Sequence, residues 1–194
     1  MREGECERGR RFDALFESYS ADVVAYCTWR AGSASDAQDA VADVFLTAWR
    51  RLDAIPAGDA ARVWLYATAR RVLANQRRST QRRAALAERL AFAAVTDKPS
   101  SDSDDDLVRE ALHQLGALDR EVLLLSEWEG LSPAQIASVL RCPQVTARGR
   151  LHRARRRFRS TFEQLADSEH LRRHHGPAAE VRATSITHAF GGDS

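Results

Sequence analysis

Side chains that can hydrogen-bond to DNA base edges recur at helical spacing in the second half of the chain. The polar candidates are Gln144, Thr146, Arg148, Arg150 and Arg153. Apolar residues recur every three or four positions between them, at Ala147, Leu151, Ala154 and Phe158. This period predicts one long helix with a buried apolar face and a basic outer face.

A shorter predicted helix precedes it. Residues 132–135 (SPAQ) have the S-x-x-Q pattern of a capped helix start, with proline at the first helical position. A turn at residues 141–143 then joins the two helices. A short helix, a turn and a basic helix make a helix-turn-helix, whose second helix enters the major groove. A solvated basic helix, or one that binds RNA or an acidic protein, is the alternative, and the two capped helices with small Ala137 near the turn favour DNA.

A second basic stretch contains no acidic residue. Its arginines are Arg62, Arg70, Arg71, Arg77, Arg78, Arg82 and Arg83. We predict a helix from about Arg62 or Val63, after the helix-breaking residues 55–59 (IPAGD). Arginines near Trp64, Tyr66 and Asn75 could neutralise phosphates and hold unpaired bases. The spacing alone nevertheless favours Trp64 and Tyr66 as core residues.

An acidic helix precedes that stretch. Residues 35–38 (SDAQ) form another capping pattern, so we predict that this helix begins at Ser35. Asp36, Asp39 and Asp43 follow at helical spacing. By themselves they favour a solvated acidic face, which the helix dipole stabilises near an N-terminus, over a docking surface.

The whole pattern predicts an all-α fold of two small helical domains, at residues 12–83 and 107–165. We expect a helix from Phe12 to Trp29, broken near Ser20, and a helix capped by Asp119. Residues 84–106 are predicted to be a flexible acidic linker. Residues 1–11 and 166–194 are predicted tails, the second mostly disordered.

The sequence argues against several other classes of protein. Its 3 cysteines are scattered, which fits a reducing compartment, and the cytoplasm is the expected location. We expect no membrane association, because no apolar run is long enough to span a bilayer and the N-terminus is charged. The pattern His170, His174, His175 is interpreted as a solvated cluster. We expect no enzymatic activity, no metal and no cofactor.

Two segments resemble a known family. Residues 36–45 (DAQDAVADVF) with 48–50 (AWR), and the stretch 64–78, resemble conserved region 2 of the extracytoplasmic-function (ECF) sigma factors. Residues 118–125, 129–132 (EGLS), 136–137 and 146–155 resemble region 4, and they follow in the right order. Arg141 stands where the family usually has glycine.

The resemblance implies a specificity subunit that directs RNA polymerase to promoters. Core binding to the beta and beta-prime subunits would use Asp36, Asp39, Asp43, Phe45 and Trp49. The opened −10 element would be held by Arg62, Trp64, Arg70, Arg71, Asn75, Arg77 and Arg78, with the loop from Ala57 to Arg62. The −35 element would be read by Gln144, Thr146, Arg148, Arg150 and Arg153. Asp102 to Asp106 would thread toward the RNA path, and an anti-sigma factor would be the regulator.

Two rival functions stay open on the sequence alone. An ordinary helix-turn-helix regulator would bind duplex DNA without needing polymerase. An arginine-rich RNA-binding protein would prefer RNA over promoter duplex.

Overall fold

The computed structural model describes residues 2–88 and 103–174. The helices are α1 (Arg2–Thr28), α2 (Ala34–Arg50), α3 (Asp59–Glu88), α4 (Ser103–Gln114), α5 (Ala117–Glu127), α6 (Pro133–Leu140) and α7 (Gln144–His174). One 3-10 turn, Leu52–Ala54, follows α2. Across these two ranges no strand occurs, so the all-α prediction is confirmed.

The chain divides into two compact units. The first combines Met1–Asp97 with Leu124–Gly149, and the second combines Lys98–Leu123 with Arg150–Ser194. Helices α5 and α7 therefore contribute residues to both units. Of the predicted linker, residues 84–88 end α3 and residues 103–106 begin α4, while 89–102 lie outside the described residues.

In the first unit, α1, α2 and α3 pack against one another. Fully buried side chains from each helix form the core: Val23, Tyr26, Cys27, Ala40, Val44, Ala48, Leu65 and Ala69. Helix α1 runs unbroken through Ser20, so the predicted break there is wrong. A serine inside a helix costs only a few tenths of a kcal/mol, and burial of the following turn outweighs that cost.

The starts of α1, α2 and α3 all differ from the predictions, and α1 begins at Arg2 rather than at Phe12. Helix α2 is capped by Ser33, whose hydroxyl accepts a hydrogen bond from the Asp36 amide at 3.1 Å, rather than beginning at Ser35. Ser33 has the extended backbone that an N-cap requires. Helix α3 begins at Asp59, directly after Gly58, which has a φ of +63°. Glycine adopts a positive φ without strain. The negative charge of Asp59 stabilises α3, because it lies at the positive, N-terminal end of the helix dipole.

In the second unit, Arg120 closes the turn between α4 and α5. Its guanidinium donates to the carbonyl oxygens of Leu112, His113 and Leu115. Asp119, predicted as a cap, lies inside α5 instead and forms an ion pair with Arg157 of α7. The helix begins at Ala117, because the turn that Arg120 stabilises ends one residue earlier.

Helix α7 continues to His174, beyond the predicted end near Ala166. Phe162, Leu165 and Ala166 are half-buried at helical spacing, and the Ser168 hydroxyl donates to the Gln164 carbonyl. The predicted tail is therefore helical up to residue 174. Residues 175–194, with His175, lie outside the described residues.

Candidate nucleic-acid and protein interfaces

The helix-turn-helix forms as the sequence predicts. The Ser132 hydroxyl accepts from the Gln135 amide, and the Gln135 side chain accepts from the Ser132 amide at 2.9 Å, which completes a capping box. Pro133 occupies the first helical position. These bonds fix the start of α6.

Arg141 ends α6 in the left-handed conformation, with φ 52° and ψ 51°. The Cys142 amide then donates to the Ala137 carbonyl at 3.0 Å. In the described residues, Arg141 is the one non-glycine with a positive φ. The backbone of this turn thus has the geometry that glycine adopts without strain, and here an arginine adopts it.

The basic face of α7 is exposed to solvent. Ala147, Leu151 and Ala154 are buried. Of the predicted base-reading residues, Gln144, Arg148 and Arg153 are exposed, while Thr146 and Arg150 are half-buried. Because Thr146 and Arg150 flank the buried stripe, they reach the rim of this face rather than its centre.

Sequence reasoning missed Val145. Its side chain is 77% exposed, more than any other large apolar side chain in the described residues. At 100° per residue it lies nearly opposite Ala147 on the helix and about 60° around the axis from Arg148. The same helical period that marked the buried stripe could have identified it. A valine on a groove-facing surface can contact the methyl group of thymine.

Helix α3 presents a second basic surface. Arg71, Asn75, Arg77 and Arg78 are exposed, and Arg62, Trp64 and Arg70 are half-buried. Arg78 donates to the Asn75 side-chain oxygen, which holds these two polar groups together. Arg77 donates to the Arg30 carbonyl. Tyr66 is 1% exposed, so it is a core residue, as the spacing favoured.

Arg71 lies in a strongly cationic environment. Partial burial lowers the pKa of its guanidinium, and the positive charges of Arg141 and Arg51 lower it further. The three residues come from α3, the turn after α6 and the end of α2. Such a concentration of positive charge favours the binding of a polyanion.

The loop before α3 is tied to α1. The Tyr19 hydroxyl donates to the Gly58 carbonyl at 3.1 Å, and Arg11 donates to the Ile55 carbonyl at 3.0 Å. A shallow cleft of about 260 Å³ lies between this loop and α1. The loop therefore has a defined position at the N-terminal end of the basic helix.

The acidic face of α2 combines exposed carboxylates with an aromatic edge. Asp39 and Asp43 are exposed, whereas Asp36 is half-buried and accepts a hydrogen bond from the Ser33 hydroxyl at 2.9 Å. Trp49 is 40% exposed, and the Arg8 guanidinium lies 5.2 Å from its ring centre.

Phe45 differs from the other residues predicted on this face. It is 6% exposed and packs edge-on against the rings of Phe12 and Phe16, at centroid distances of 6.4 and 4.7 Å. Phe45 therefore supports the acidic face from behind, and its ring is not part of that surface. The reason is the helical period, which places it next to buried Val44 and Ala48.

Within the two described ranges, no group of three or more potential metal-ligating side chains comes together. None of the helices there is long and apolar enough to cross a bilayer.

Both halves of the chain match known protein families. The family models of "Sigma-70 region 2" and "Sigma-70, region 4" match residues 15–83 and 105–158. The ECF RNA polymerase sigma factor SigL of Mycobacterium tuberculosis is 33% identical over 159 residues, which is 78% of this chain and 89% of SigL. The chain belongs to the ECF sigma factors. It is an RNA polymerase sigma factor of the sigma-70 family.

Other relatives agree with this assignment. The RNA polymerase sigma-H factor of Pseudomonas aeruginosa is 30% identical to this sigma factor, covering 80% of this chain and 88% of the relative. Among solved structures, the sigma factor RpoE of Bartonella quintana, in complex with the anti-sigma factor NepR, aligns with a TM-score of 0.61. That alignment covers 84% of this chain and 98% of RpoE at 23% identity, so it supports the fold.

Proposed function

We propose that this sigma factor holds the opened −10 element on α3 and its preceding loop, reads the −35 element with α7, and docks on core polymerase through α2. It acts in the cytoplasm and contributes binding rather than catalysis. The observation that carries this proposal is the separation of charge between surfaces. Exposed arginines cover α3 and α7, while exposed Asp39 and Asp43 mark α2.

The −35 contact rests on the shape of the helix-turn-helix. Arg148 and Gln144 are exposed on the first turns of α7, the part of a recognition helix that contacts base edges. Arginine pairs with guanine and glutamine with adenine in the major groove. Thr146 and Arg150, at the rim, are better placed for phosphate contacts, which position the helix without reading sequence.

The −10 contact requires unpaired bases. Arg71, Arg77 and Arg78 supply positive charge along α3, and the half-buried Trp64 offers a ring near its N-terminal end. Arginines beside an aromatic ring hold single strands by neutralising phosphates and stacking on bases. The loop fixed by Tyr19 at Gly58 lies next to this surface, where an extruded base could be received.

The docking surface for core polymerase is the acidic face of α2. Asp39, Asp43 and exposed Trp49 provide charge for steering and an apolar anchor for affinity. Phe45 contributes indirectly, by holding the helix against α1. The acidic segment from Asp102 to Asp106, of which residues 103–106 begin α4, would thread toward the RNA path.

An anti-sigma factor is the expected regulator. Bartonella RpoE and the protein CnrH, which aligns with a TM-score of 0.58, were both solved with a partner, named as the anti-sigma factor NepR and the cytosolic domain of CnrY. By analogy, a protein that covers α2 or α3 would block polymerase or DNA.

The decisive experiment adds the purified chain to sigma-free core polymerase and maps run-off transcripts from a genomic fragment library. We expect specific start sites that share upstream elements. Tight binding to duplex DNA by the chain alone, with no start sites, would favour an ordinary helix-turn-helix regulator. Preference for RNA over every promoter fragment would favour the RNA-binding alternative.

A paired variant tests the docking surface separately. Asp39→Ala combined with Asp43→Ala should weaken affinity for core on the order of ten-fold and reduce its salt dependence. The matched control removes two exposed acids from α7, with Glu163→Ala and Asp167→Ala. Equal losses in both double variants would show that net charge, and not this face, governs core binding.

A further inference from the structure

Three side chains on α1 donate hydrogen bonds to the backbone of residues 49–58, which we call the α2–α3 connection. The donors are Arg8, Arg11 and Tyr19. The acceptors, in the same order, are the carbonyl oxygens of Trp49, Ile55 and Gly58, at 2.6, 3.0 and 3.1 Å. These contacts hold the connection at its first residue, at an interior residue and at its last residue.

The three donors lie on one face of α1. At about 100° per residue, positions 8, 11 and 19 fall within about 80° of one another around the helix axis. Arg10 lies on the opposite side of the helix, where its side chain is 72% exposed and forms an ion pair with Glu7. The face toward the connection is therefore distinct from the general basic character of this part of α1.

Aromatic contacts position this part of α1 beside the end of α2. Phe12 packs edge-on against Trp49 with ring centres 5.2 Å apart, and Phe16 packs against Phe45 at 4.7 Å. The Arg8 guanidinium also lies 5.2 Å from the centre of the Trp49 ring. Packing of the rings thus fixes the backbone that carries the donors.

The α2–α3 connection combines two buried residues with an exposed stretch. Leu52 and Ile55 are 1% and 4% exposed, whereas residues 56–60 are all exposed. Pro56 lacks an N–H donor, and Gly58 has a positive φ. An exposed stretch gains little from burial, so hydrogen bonds to its carbonyl oxygens contribute much of the energy that selects one conformation.

We propose that Arg8, Arg11 and Tyr19 form a brace that holds the α2–α3 connection in the conformation that receives the opened −10 element, and that the brace thereby sets base preference at one −10 position. This inference rests on the promoter contacts proposed above. The three are positioning residues, because they act through the connection. Arg8 and Arg11 precede residues 15–83, which the region 2 family model matches, so two of the three donors lie outside that match.

The hydrogen bonds to carbonyl oxygens, and not ion pairs, carry the brace. Arg8 and Arg11 also approach the Asp53 carboxylate, at 3.4 and 3.8 Å. The Asp53 side chain is 82% exposed, and water screens ion pairs at such sites. Tyr19 carries no charge and makes the same kind of contact as the two arginines. Replacement of Tyr19 therefore separates the brace from a direct attraction between the arginines and DNA phosphates.

Amide hydrogen exchange, measured by NMR on the free full chain, tests the brace without DNA. Arg11→Met should speed exchange of the Ile55 amide, and Tyr19→Phe that of the Ala61 amide, which donates to the Gly58 carbonyl. We expect about five-fold in each case, because each variant removes one hydrogen bond that resists local opening. Arg10→Met removes the same charge from the opposite side of α1 and should leave both rates unchanged. Unchanged exchange in both brace variants would overturn the proposal.

Run-off transcription tests base preference, with holoenzyme assembled from core polymerase and the full chain. On a library of −10 sequences behind one −35 element, Arg11→Met and Tyr19→Phe should each reduce discrimination at one position at least about five-fold, the lower end of the usual effect of one mismatched base pair. Arg11→Lys keeps a donor and should lie between wild type and Arg11→Met. Arg8→Met is unsuitable here, because Arg8 also contacts Trp49 on the proposed docking surface for core polymerase.

A companion library of −35 sequences distinguishes the brace from general destabilisation. Both brace variants should keep the wild-type preference there, because α7 is unchanged. Equal losses on the two libraries would overturn the proposal. An effect of Arg11→Met with none of Tyr19→Phe would also overturn it, and would identify Arg11 as a phosphate contact.

Failure of the brace and failure of the proposed promoter contacts give different results. If the wild-type holoenzyme starts at no promoter, the proposed function is wrong, and the exchange rates still decide whether the three donors hold the connection. If exchange rises while −10 preference on active promoters stays unchanged, the connection is held by α1 without any effect on promoter choice, and the inference is overturned.

Discussion

The hydroxyl of Tyr66 donates a hydrogen bond to the Glu129 carboxylate across 63 positions of sequence. Burial raises the pKa of Tyr66 well above its ordinary value, and the negative charge of Glu129 raises it further. The phenol therefore remains a donor throughout the range in which the protein works. Tyr66 therefore stabilises the core of the first unit, whereas Arg71, Arg77 and Arg78 on the same helix are exposed.

Replacement of this phenol tests the strength of the contact. Tyr66→Phe should lower the free energy of unfolding by about 1 to 3 kcal/mol, because a buried charged acceptor loses one partner. Urea denaturation followed by circular dichroism measures the change. Tyr19→Phe removes a hydrogen bond to a backbone carbonyl at a less buried site and serves as the control. Equal losses in the two variants would contradict a special role for Tyr66.

The left-handed turn at Arg141 predicts a stabilising substitution. Arg141→Gly should raise the free energy of unfolding by about 1 kcal/mol, because glycine adopts a positive φ without strain. Gly130→Ala is the mirror test, since Gly130 has a φ of +64° and an added Cβ would meet nothing within 4 Å. Gly130→Ala should lower the free energy of unfolding by about the same amount. A loss in Arg141→Gly would show that the arginine makes a contact that outweighs the strain.

Arg148 is predicted to read one base pair. Arg148→Ala should reduce discrimination at a single upstream position by about 1 to 3 kcal/mol, measured by transcription from a library of −35 variants. Arg159→Ala, farther along the exposed side of α7, should leave base preference unchanged. A uniform loss across all sequences in Arg148→Ala would instead identify a phosphate contact.

Val145 is predicted to recognise a thymine methyl group. Val145→Ala should weaken transcription from templates with thymine at one −35 position and leave others unaffected, because the apolar contact is lost. Substitution of that thymine by uracil, which lacks the methyl group, should remove the difference between wild type and variant. A persistent difference on the uracil template would exclude the methyl contact.

Cys27 makes stability depend on pH in the alkaline range. Burial raises the pKa of its thiol from an ordinary 9.0 to about 11, and the nearby Arg30 charge opposes that shift. The folded chain therefore holds this proton more tightly than the unfolded chain. Its contribution to the free energy of unfolding is complete below pH 9 and is lost as the pH rises to about 11.

Urea titrations at several pH values measure this loss. Cys27→Ala should flatten the decline between pH 9 and 11, whatever its effect on stability at neutral pH. Cys6→Ala, at an exposed position, should leave the slope unchanged. An identical slope in wild type and Cys27→Ala would assign the alkaline loss to another group.

The helical periods and capping patterns were local enough to be predicted from sequence. Ser132 and Gln135 define the start of α6 by themselves, since both halves of the capping box lie within four residues. The same pattern placed the start of α2 at Ser35, where the S-x-x-Q motif lies, whereas in the structure Ser33 has the extended backbone and makes the capping hydrogen bond. The extension of α7 to His174 was missed because polar residues dilute its apolar period.

The sequence by itself determined the family, the all-α class and the two basic helices, because each depends on residues a few positions apart. Only the tertiary structure decided which of those side chains are exposed and can bind a partner. In the structure Phe45 is buried behind the acidic face, Val145 is exposed on α7, and Arg30 forms an ion pair with Glu129. No local pattern encodes such outcomes, since burial and ion pairing depend on which distant helices meet, and that follows from the packing of the whole unit.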